Sequence, residues 1–290
     1  MEKLRRTMMF VPGNNPGMLQ NAGIYGADTI IMDVEDAVSV GEKDSARHLV
    51  AEAIRTISYP CEVAVRINHI STPYGRTDLE VILPSHPDLI RLPMAQSADE
   101  IKEIDSIITA AEKKYGFEPG SINMMAAIET PKGLLQAQAI AEASPRMVAI
   151  AIGAEDFVAN LKTNRSKDGS ELVVARGLLV LAARAAGVQV IDTVFSDVND
   201  DETFIAEVKR IKQLGFDGKS VINPRQIVLV HDIFAPSEKE IEKSKRILLA
   251  YEEALAKKSG VISLDGKMID APIVARAERV LAYAEATGVR

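Results

Sequence analysis

Eight short apolar runs separated by longer amphipathic stretches constrain this chain more than any other feature of its sequence. The runs are 7–12 (TMMFVP), 27–34 (ADTIIMDV), 62–68 (EVAVRIN), 88–93 (DLIRLP), 122–129 (INMMAAIE), 147–153 (MVAIAIG), 188–195 (VQVIDTVF) and 219–224 (KSVINP). They are continuous rather than alternating, the pattern of strands covered on both faces. Helical periodicity fills the intervals, for example over 98–116 and 201–215, and both of those stretches close on glycine. Eight strands alternating with helices predict an α/β fold, a (β/α)8 TIM barrel, in preference to a doubly wound open sheet.

The pattern changes after the eighth run. Residues 236–258 read as a charged helix opened by Ser237 with Glu240 three positions later, the spacing of a capping box. A glycine-bearing loop, SGVISLDGKMIDAP, and a last helix from about 272 follow. The expected organisation is therefore a barrel domain over 1–235 and a C-terminal helical extension with a lid loop over 236–290. A barrel needs about 250 residues, and the 290 present leave room for such a tail.

Composition narrows the function. Lys and Arg number 34 against 41 Asp and Glu, a net charge of −7, which argues against a nucleic-acid binder. With 7 Phe, 6 Tyr and no Trp, a base-stacking platform has little material either. The apolar stretch MMFV near the N-terminus is stopped by Pro12, Gly13 and Asn14, too short for a signal peptide. No run approaches the ~18 residues of a membrane span, so the expected location is cytoplasmic. The single cysteine, Cys61, can form neither an intrachain disulfide nor a zinc site alone, and it reads as an inert core thiol.

In a barrel the chemistry gathers at the C-terminal ends of the strands. Run two ends in Asp33, Glu35 and Asp36, run three in Arg66 and Asn68, run five in Glu129, and run six is followed by Glu155 and Asp156. A charge at one strand end is often only a solvated loop, but acids closing runs two, five and six with an arginine closing run three point to a common site. Carboxylates without histidine or thiolate suit a hard cation such as Mg²⁺. Glu129 and Asp156, on adjacent strands, are the natural ligand pair, and Arg66 offers a planar fork for a substrate carboxylate.

Other motifs fail. GFDGKS (215–220) has Gln213 where a phosphate loop needs glycine, and DVNDDE (197–202) has Glu202 at the glycine position of a calcium loop. No GxGxxG occurs, and the four histidines show no metal-binding spacing. Lys219 stands near the start of its strand, the wrong end for catalysis, and reads as structural.

The segments FVPGNNP (10–16), MDVEDAV (32–38), VRIN (65–68), AIETPKG (127–133), IGAEDF (152–157), GFDGKSVINPRQI (215–227) and DGKMIDAPIV (265–274) are similar to the HpcH/HpaI-like aldolase superfamily, in colinear order over nearly the whole chain. Within it they most resemble the citryl-thioester lyases. The resemblance implies a barrel and an oxo-acid-lyase reaction: Mg²⁺-assisted retro-Claisen cleavage of citryl-acyl carrier protein or citryl-CoA to oxaloacetate and an acetyl thioester. It implies Glu129 and Asp156 as metal ligands, Arg66 and Glu129 as substrate contacts, and Asp270 as the acid/base on the C-terminal lid, often supplied by an adjacent subunit of a trimer. Glu35 and Asp36 are implied in support of metal-bound water and substrate. The implied partners are a small acyl carrier protein and an acyl-transferase subunit. Alternatives on the same site are a stand-alone citramalyl-CoA or malyl-CoA lyase or thioester synthase, and an idle scaffold barrel. Many relatives carry lysine after the proline of run four, where this chain has Met94.

Overall fold

The computed structural model describes residues 3–256, 263–264 and 267–288. The chain divides into two compact units, Met1–Val230 and His231–Arg290. The first holds a closed barrel of eight parallel strands in sequential order: β1 (Thr7–Pro12), β2 (Thr29–Asp33), β3 (Glu62–Arg66), β4 (Leu89–Leu92), β5 (Asn123–Ile128), β6 (Met147–Ile152), β7 (Gln189–Asp192) and β8 (Gly218–Val221). Pairing of Thr7 with Lys219 and Met8 with Ser220 closes the ring. The expected barrel is therefore present, although the last two strands end earlier than their apolar runs.

Met8, Ile31, Ala64, Leu89, Met125, Ala149, Ala151 and Ile191 fill the barrel interior, with Phe10 packed against them. Each large apolar side chain so buried contributes about 1.5–3 kcal/mol. Because side chains alternate along a strand, the residue two places on returns to the same inward face. Ile31 thus leads to Asp33, Ala64 to Arg66, Leu89 to Arg91 and Ile191 to Thr193. The apolar plug itself aims the next layer at the mouth.

The intervening helices are locally encoded. Ser97 caps the helix Ala98–Tyr115 in a reciprocal capping box with Glu100, and the side chain of Asp200 caps Asp201–Leu214. At the opposite end of the barrel Arg5 clasps Glu62 through two 2.7 Å bonds and donates to Gln189 at 2.7 Å. Gly218 is required here, since a Cβ at that position would stand 1.9 Å from the Arg5 carbonyl oxygen. The glycine of GFDGKS thus serves strand packing.

Lys219 is fully buried and donates to Asp192 at 2.8 Å, to the Thr193 carbonyl at 2.9 Å and to Glu207 at 2.6 Å. Its ammonium is committed within an ion network that also includes Arg176, in keeping with a structural role. Cys61 differs from expectation: it precedes β3 and is only partly buried, while burial raises its thiol to about 11.

In the second unit the helices Glu238–Ala256 and Ala271–Thr287 share an apolar contact formed by Ile247, Ile269, Val274 and Ala277. The capping box forms as read, with Ser237 N–H donating to Glu240 at 2.8 Å and Glu240 N–H to Ser237 Oγ at 3.3 Å. The glycine-bearing loop contains a short antiparallel pair, Ser263–Leu264 with Lys267–Met268. Asp265 and Gly266 of DGKMID lie outside the described residues. Among the described residues no helix is long and apolar enough to cross a membrane.

Candidate active site

A cavity of about 600 Å³ opens at the C-terminal ends of the strands. Asp33, Asp36, Arg66, Arg91, Glu129 and Asp156 are its charged lining together with Glu155, and Phe10 and Ile152 are among its apolar walls. Five strands and their following loops supply these charges, so the strand-end charges Asp33, Asp36, Arg66, Glu129, Glu155 and Asp156 converge, while Glu35 is not part of the lining.

Asp33, Arg66 and Arg91 form a register row across three strands, Asp33 paired with Arg66 and Arg66 with Arg91. Arg66 donates from Nε to Asp33 Oδ1 at 2.8 Å and from Nη2 to Asp33 Oδ2 at 2.6 Å. Its remaining nitrogen, Nη1, stands 3.0 Å from Glu35 and 3.3 Å from Asp36. Burial alone would loosen the Arg66 proton, but the bonds and charge of Asp33 hold it more firmly than usual. The fork that sequence reading offered to a substrate carboxylate is thus closed by Asp33, and only Nη1 remains on the side of the acidic loop.

Glu35 lies in that loop, where Lys43 pins the backbone by donating to the Val34 and Glu35 carbonyls at 3.2 and 2.9 Å. Burial pushes the Glu35 carboxyl to about 8 despite the counteracting Arg66 charge, with Asp36, Glu129 and Asp33 adding to the rise. Asp36 is exposed at the rim.

Glu129 follows β5 directly and is buried, yet among the described residues it forms no hydrogen bond or ion pair. Burial raises its carboxyl to about 7; Arg91 and Arg66 oppose the rise and Asp156 reinforces it. Gly153 makes the room: a Cβ there would lie 2.6 Å from both Cγ and Oε1 of Glu129. Asp156 sits in the first turn of the short helix Ala154–Asn160, whose Ala154 N–H donates to Thr193 Oγ1 at 3.0 Å. Glu129 and Asp156 are an oxygen-only pair with unfilled acceptor capacity, as a hard cation retaining water ligands requires. No ready-made group of three or more metal-ligating side chains occurs among the described residues, which such a cation does not need.

Other predicted residues are placed differently. Asn68 is buried and donates to Asp78 at 2.7 Å and the Val34 carbonyl at 2.9 Å, bracing the loop without lining the cavity. Glu155 pairs with Arg165 at 3.2 Å. Asp270, in the second unit, is exposed and caps the helix Ala271–Thr287 by accepting from Ile273 N–H at 3.1 Å. Met94 adopts a left-handed backbone, φ 49°, and does not line the cavity.

Sequence reasoning missed Arg91. It is 3% exposed, lines the cavity, and has neither Nε nor Nη1 hydrogen-bonded. Its guanidinium and that of Arg66 lie 5.0 and 4.9 Å from the centroid of the Phe10 ring. Burial and the neighbouring Arg66 charge lower its ionisation to about 10. The signal was available: Arg91 interrupts an apolar run two residues after inward-facing Leu89.

The profile of the HpcH/HpaI aldolase/citrate lyase family matches residues 6–224. The citrate lyase subunit beta of Leuconostoc mesenteroides subsp. cremoris is 52% identical over 286 residues, covering 98% of this chain and 95% of that one. Among solved structures, the protein CitE of Mycobacterium tuberculosis in complex with magnesium, acetoacetate and coenzyme A superposes with TM-score 0.80 at 28% identity, covering 98% of this chain and all of that one. A citrate lyase beta subunit of the same organism, complexed with oxaloacetate and magnesium, gives TM-score 0.69 at 30% identity over 80% of this chain and 98% of that one. Barrel, mouth and sequence agree, and the chain belongs to the HpcH/HpaI aldolase/citrate lyase family.

Proposed function

We propose that this chain is a Mg²⁺-assisted carbon–carbon lyase that cleaves a citryl thioester to oxaloacetate and an acetyl thioester. The observation that carries this reading is Glu129, a buried carboxylate with no partner among the described residues, which lines with Asp156 a cavity that also presents arginine. The 52% identity to a citrate lyase subunit beta supplies the substrate class.

Glu129 and Asp156 would hold the cation. When bound, it supplies Lewis-acid polarisation of a substrate oxygen and lowers the pKa of a hydroxyl. Arg66, held by Asp33, presents Nη1 to the substrate, and Glu35 and Asp36 set that nitrogen's position. Neutral at pH 7 through burial, Glu35 can donate a hydrogen bond as well as accept one. In the reaction the C3 hydroxyl loses its proton, the C2–C3 bond breaks, and its electron pair leaves as the enolate of the acetyl thioester. Protonation of that carbon completes the step. Asp270 is the group assigned to move the proton, a role worth typically about 10²–10⁴-fold.

The apolar side of the mouth, with Met18, Ala22 and Tyr25, suits the arm of an acyl thioester. On this reading the acyl group arrives on a small acyl carrier protein or CoA, and an acyl-transferase subunit works beside the lyase. On this reading the chain also self-associates, as a trimer; the exposed apolar stripe Val174, Leu178 and Leu181 supports association without fixing the number of copies, which light scattering of the purified chain reads directly.

The test is oxaloacetate release from citryl-CoA, with Mg²⁺ and with EDTA, beside malyl-CoA and citramalyl-CoA. Metal-dependent release from citryl-CoA supports the assignment, and preference for another thioester transfers it to the stand-alone lyases. If all three are inert, citryl-loaded carrier protein is the deciding substrate, and inertness there too rejects lyase activity.

A further inference from the structure

Five arginines among the described residues are buried, and four of them have a carboxylate partner. Arg5 pairs with Glu62 at 2.7 Å, Arg47 with Asp78 at 2.8 Å, Arg146 with Glu112 at 2.6 Å and Arg176 with Asp192 at 2.8 Å. Arg91 has none among the described residues, and its Nε and Nη1 lack any hydrogen bond. An uncompensated buried charge is strongly unfavourable unless an anion completes it.

The surroundings exclude the acids already present as that anion. Asp33 is taken up by Arg66 through both oxygens. Glu35 is placed against Arg66 Nη1 at 3.0 Å. Glu129 acts on Arg91 through its charge without bonding to it, and a cation on Glu129 would claim that carboxylate too. Phe10 packs against both guanidiniums, and Arg91 lines the cavity while its Nε and Nη1 are themselves shut off from solvent. The missing anion therefore has to enter with the ligand.

We infer that Arg91 is the receptor for a second substrate carboxylate, the one not shared with the metal site, and that it selects dicarboxylic over monocarboxylic oxo acids. This rests on the lyase reading for the identity of the oxo acid, though not for the presence of an anion receptor. The oxo acids open to this family of reactions share a carboxylate beside a carbonyl, and oxaloacetate carries one carboxylate more than pyruvate or glyoxylate. A fork left unpaired by the shorter acid would penalise it, because a buried donor stripped of its partner is costly. Arg66, closed by Asp33, cannot make that distinction with a two-pronged bond.

The experiment measures binding of oxaloacetate, pyruvate and malonate by calorimetry, with Mg²⁺ present, to the wild-type protein, Arg91→Met and Arg91→Lys. Arg91→Met is expected to weaken oxaloacetate about a hundredfold or more while changing pyruvate less than about threefold. Arg91→Lys, which keeps the charge but not the fork, should fall between them. The apo Arg91→Met protein should melt no lower than wild type, since an unpaired buried charge has been removed; should it fail to fold, the Lys variant carries the same split at smaller amplitude. Unchanged oxaloacetate binding, or equal losses for oxaloacetate and pyruvate, overturns the inference and leaves the lyase reading intact. Arg91-dependent binding of malonate alone overturns the lyase reading and upholds the dicarboxylate receptor. A wild-type protein that binds none of the three overturns both.

Discussion

Asp33 holds Arg66 by two parallel bonds of 2.8 and 2.6 Å, and the same two oxygens accept the backbone N–H groups of Glu35 and Ala37 at 2.9 and 3.1 Å. One carboxylate thus orients the arginine and shapes the loop that carries Glu35 and Asp36. Removing one member of such a buried pair leaves the other charge uncompensated, at a cost of about 3–5 kcal/mol. Asp33→Asn is therefore expected to lower the unfolding free energy by that amount, read as a lower urea midpoint with little change in slope. A variant as stable as wild type would show that Arg66 does not depend on Asp33.

Gly153 governs Glu129 by leaving space. The Cβ of alanine would fall 2.6 Å from Glu129 Cγ and Oε1, so the carboxylate has to move. Gly153→Ala is expected to keep the barrel and its circular dichroism while weakening Mg²⁺ binding about 10–100-fold, the range seen when groups supporting a metal ligand are altered. Titration calorimetry with Mg²⁺ alone makes the comparison without substrate.

Asp270 combines a helix cap with the assigned proton-transfer role, and two substitutions separate them. Asparagine caps nearly as well as aspartate but cannot serve as the base. Asp270→Asn should retain the melting temperature and lose most turnover, with KM for the thioester little changed. Asp270→Ala should lose the same turnover and in addition about 1 kcal/mol of stability. Near-normal turnover in Asp270→Asn rules out the catalytic role.

Acid stability should report on Glu112. Burial would raise this carboxyl, but hydrogen bonds from Arg146 and the backbone N–H groups of Gly120 and Ile122 outweigh it and bring it from 4.5 to about 2. With the folded value below the unfolded one, the stabilisation is complete above 4.5 and is lost as pH falls through about 2. Urea titrations from pH 6 to 2 should show wild type well above Glu112→Gln at the upper end and the two converging at the lower. Parallel curves would mean that Glu112 contributes no proton linkage.

The barrel was legible because its evidence is local. Continuous apolar runs, Ser97 with Glu100, and Ser237 with Glu240 encode strands and helix starts within a few residues, and each element formed where they stand. The acids at the mouth were legible for a similar reason, since Asp33, Glu129 and Asp156 directly follow apolar runs. Strand ends were less so: the run 188–195 continues past Asp192, where β7 stops, because an apolar residue can line a loop as well as a strand. Arg91 was passed over because it sits inside such a run, where only the inward phase of β4 reveals its direction.

From sequence alone came the eight-stranded barrel, the acidic mouth and the family resemblance, since hydrophobic periodicity and strand-end chemistry depend on near neighbours. Pairing among the charges needed the closed fold. Arg66 meets Asp33 across 33 positions, and Glu112 meets Arg146 across 34. Arg91 is brought into the same row with no hydrogen-bond partner for its Nε and Nη1 among the described residues. Whether a guanidinium is consumed by the protein or kept for a ligand depends on which carboxylates the barrel brings within about 3 Å, the reach of a hydrogen bond, and only the tertiary structure sets that distance.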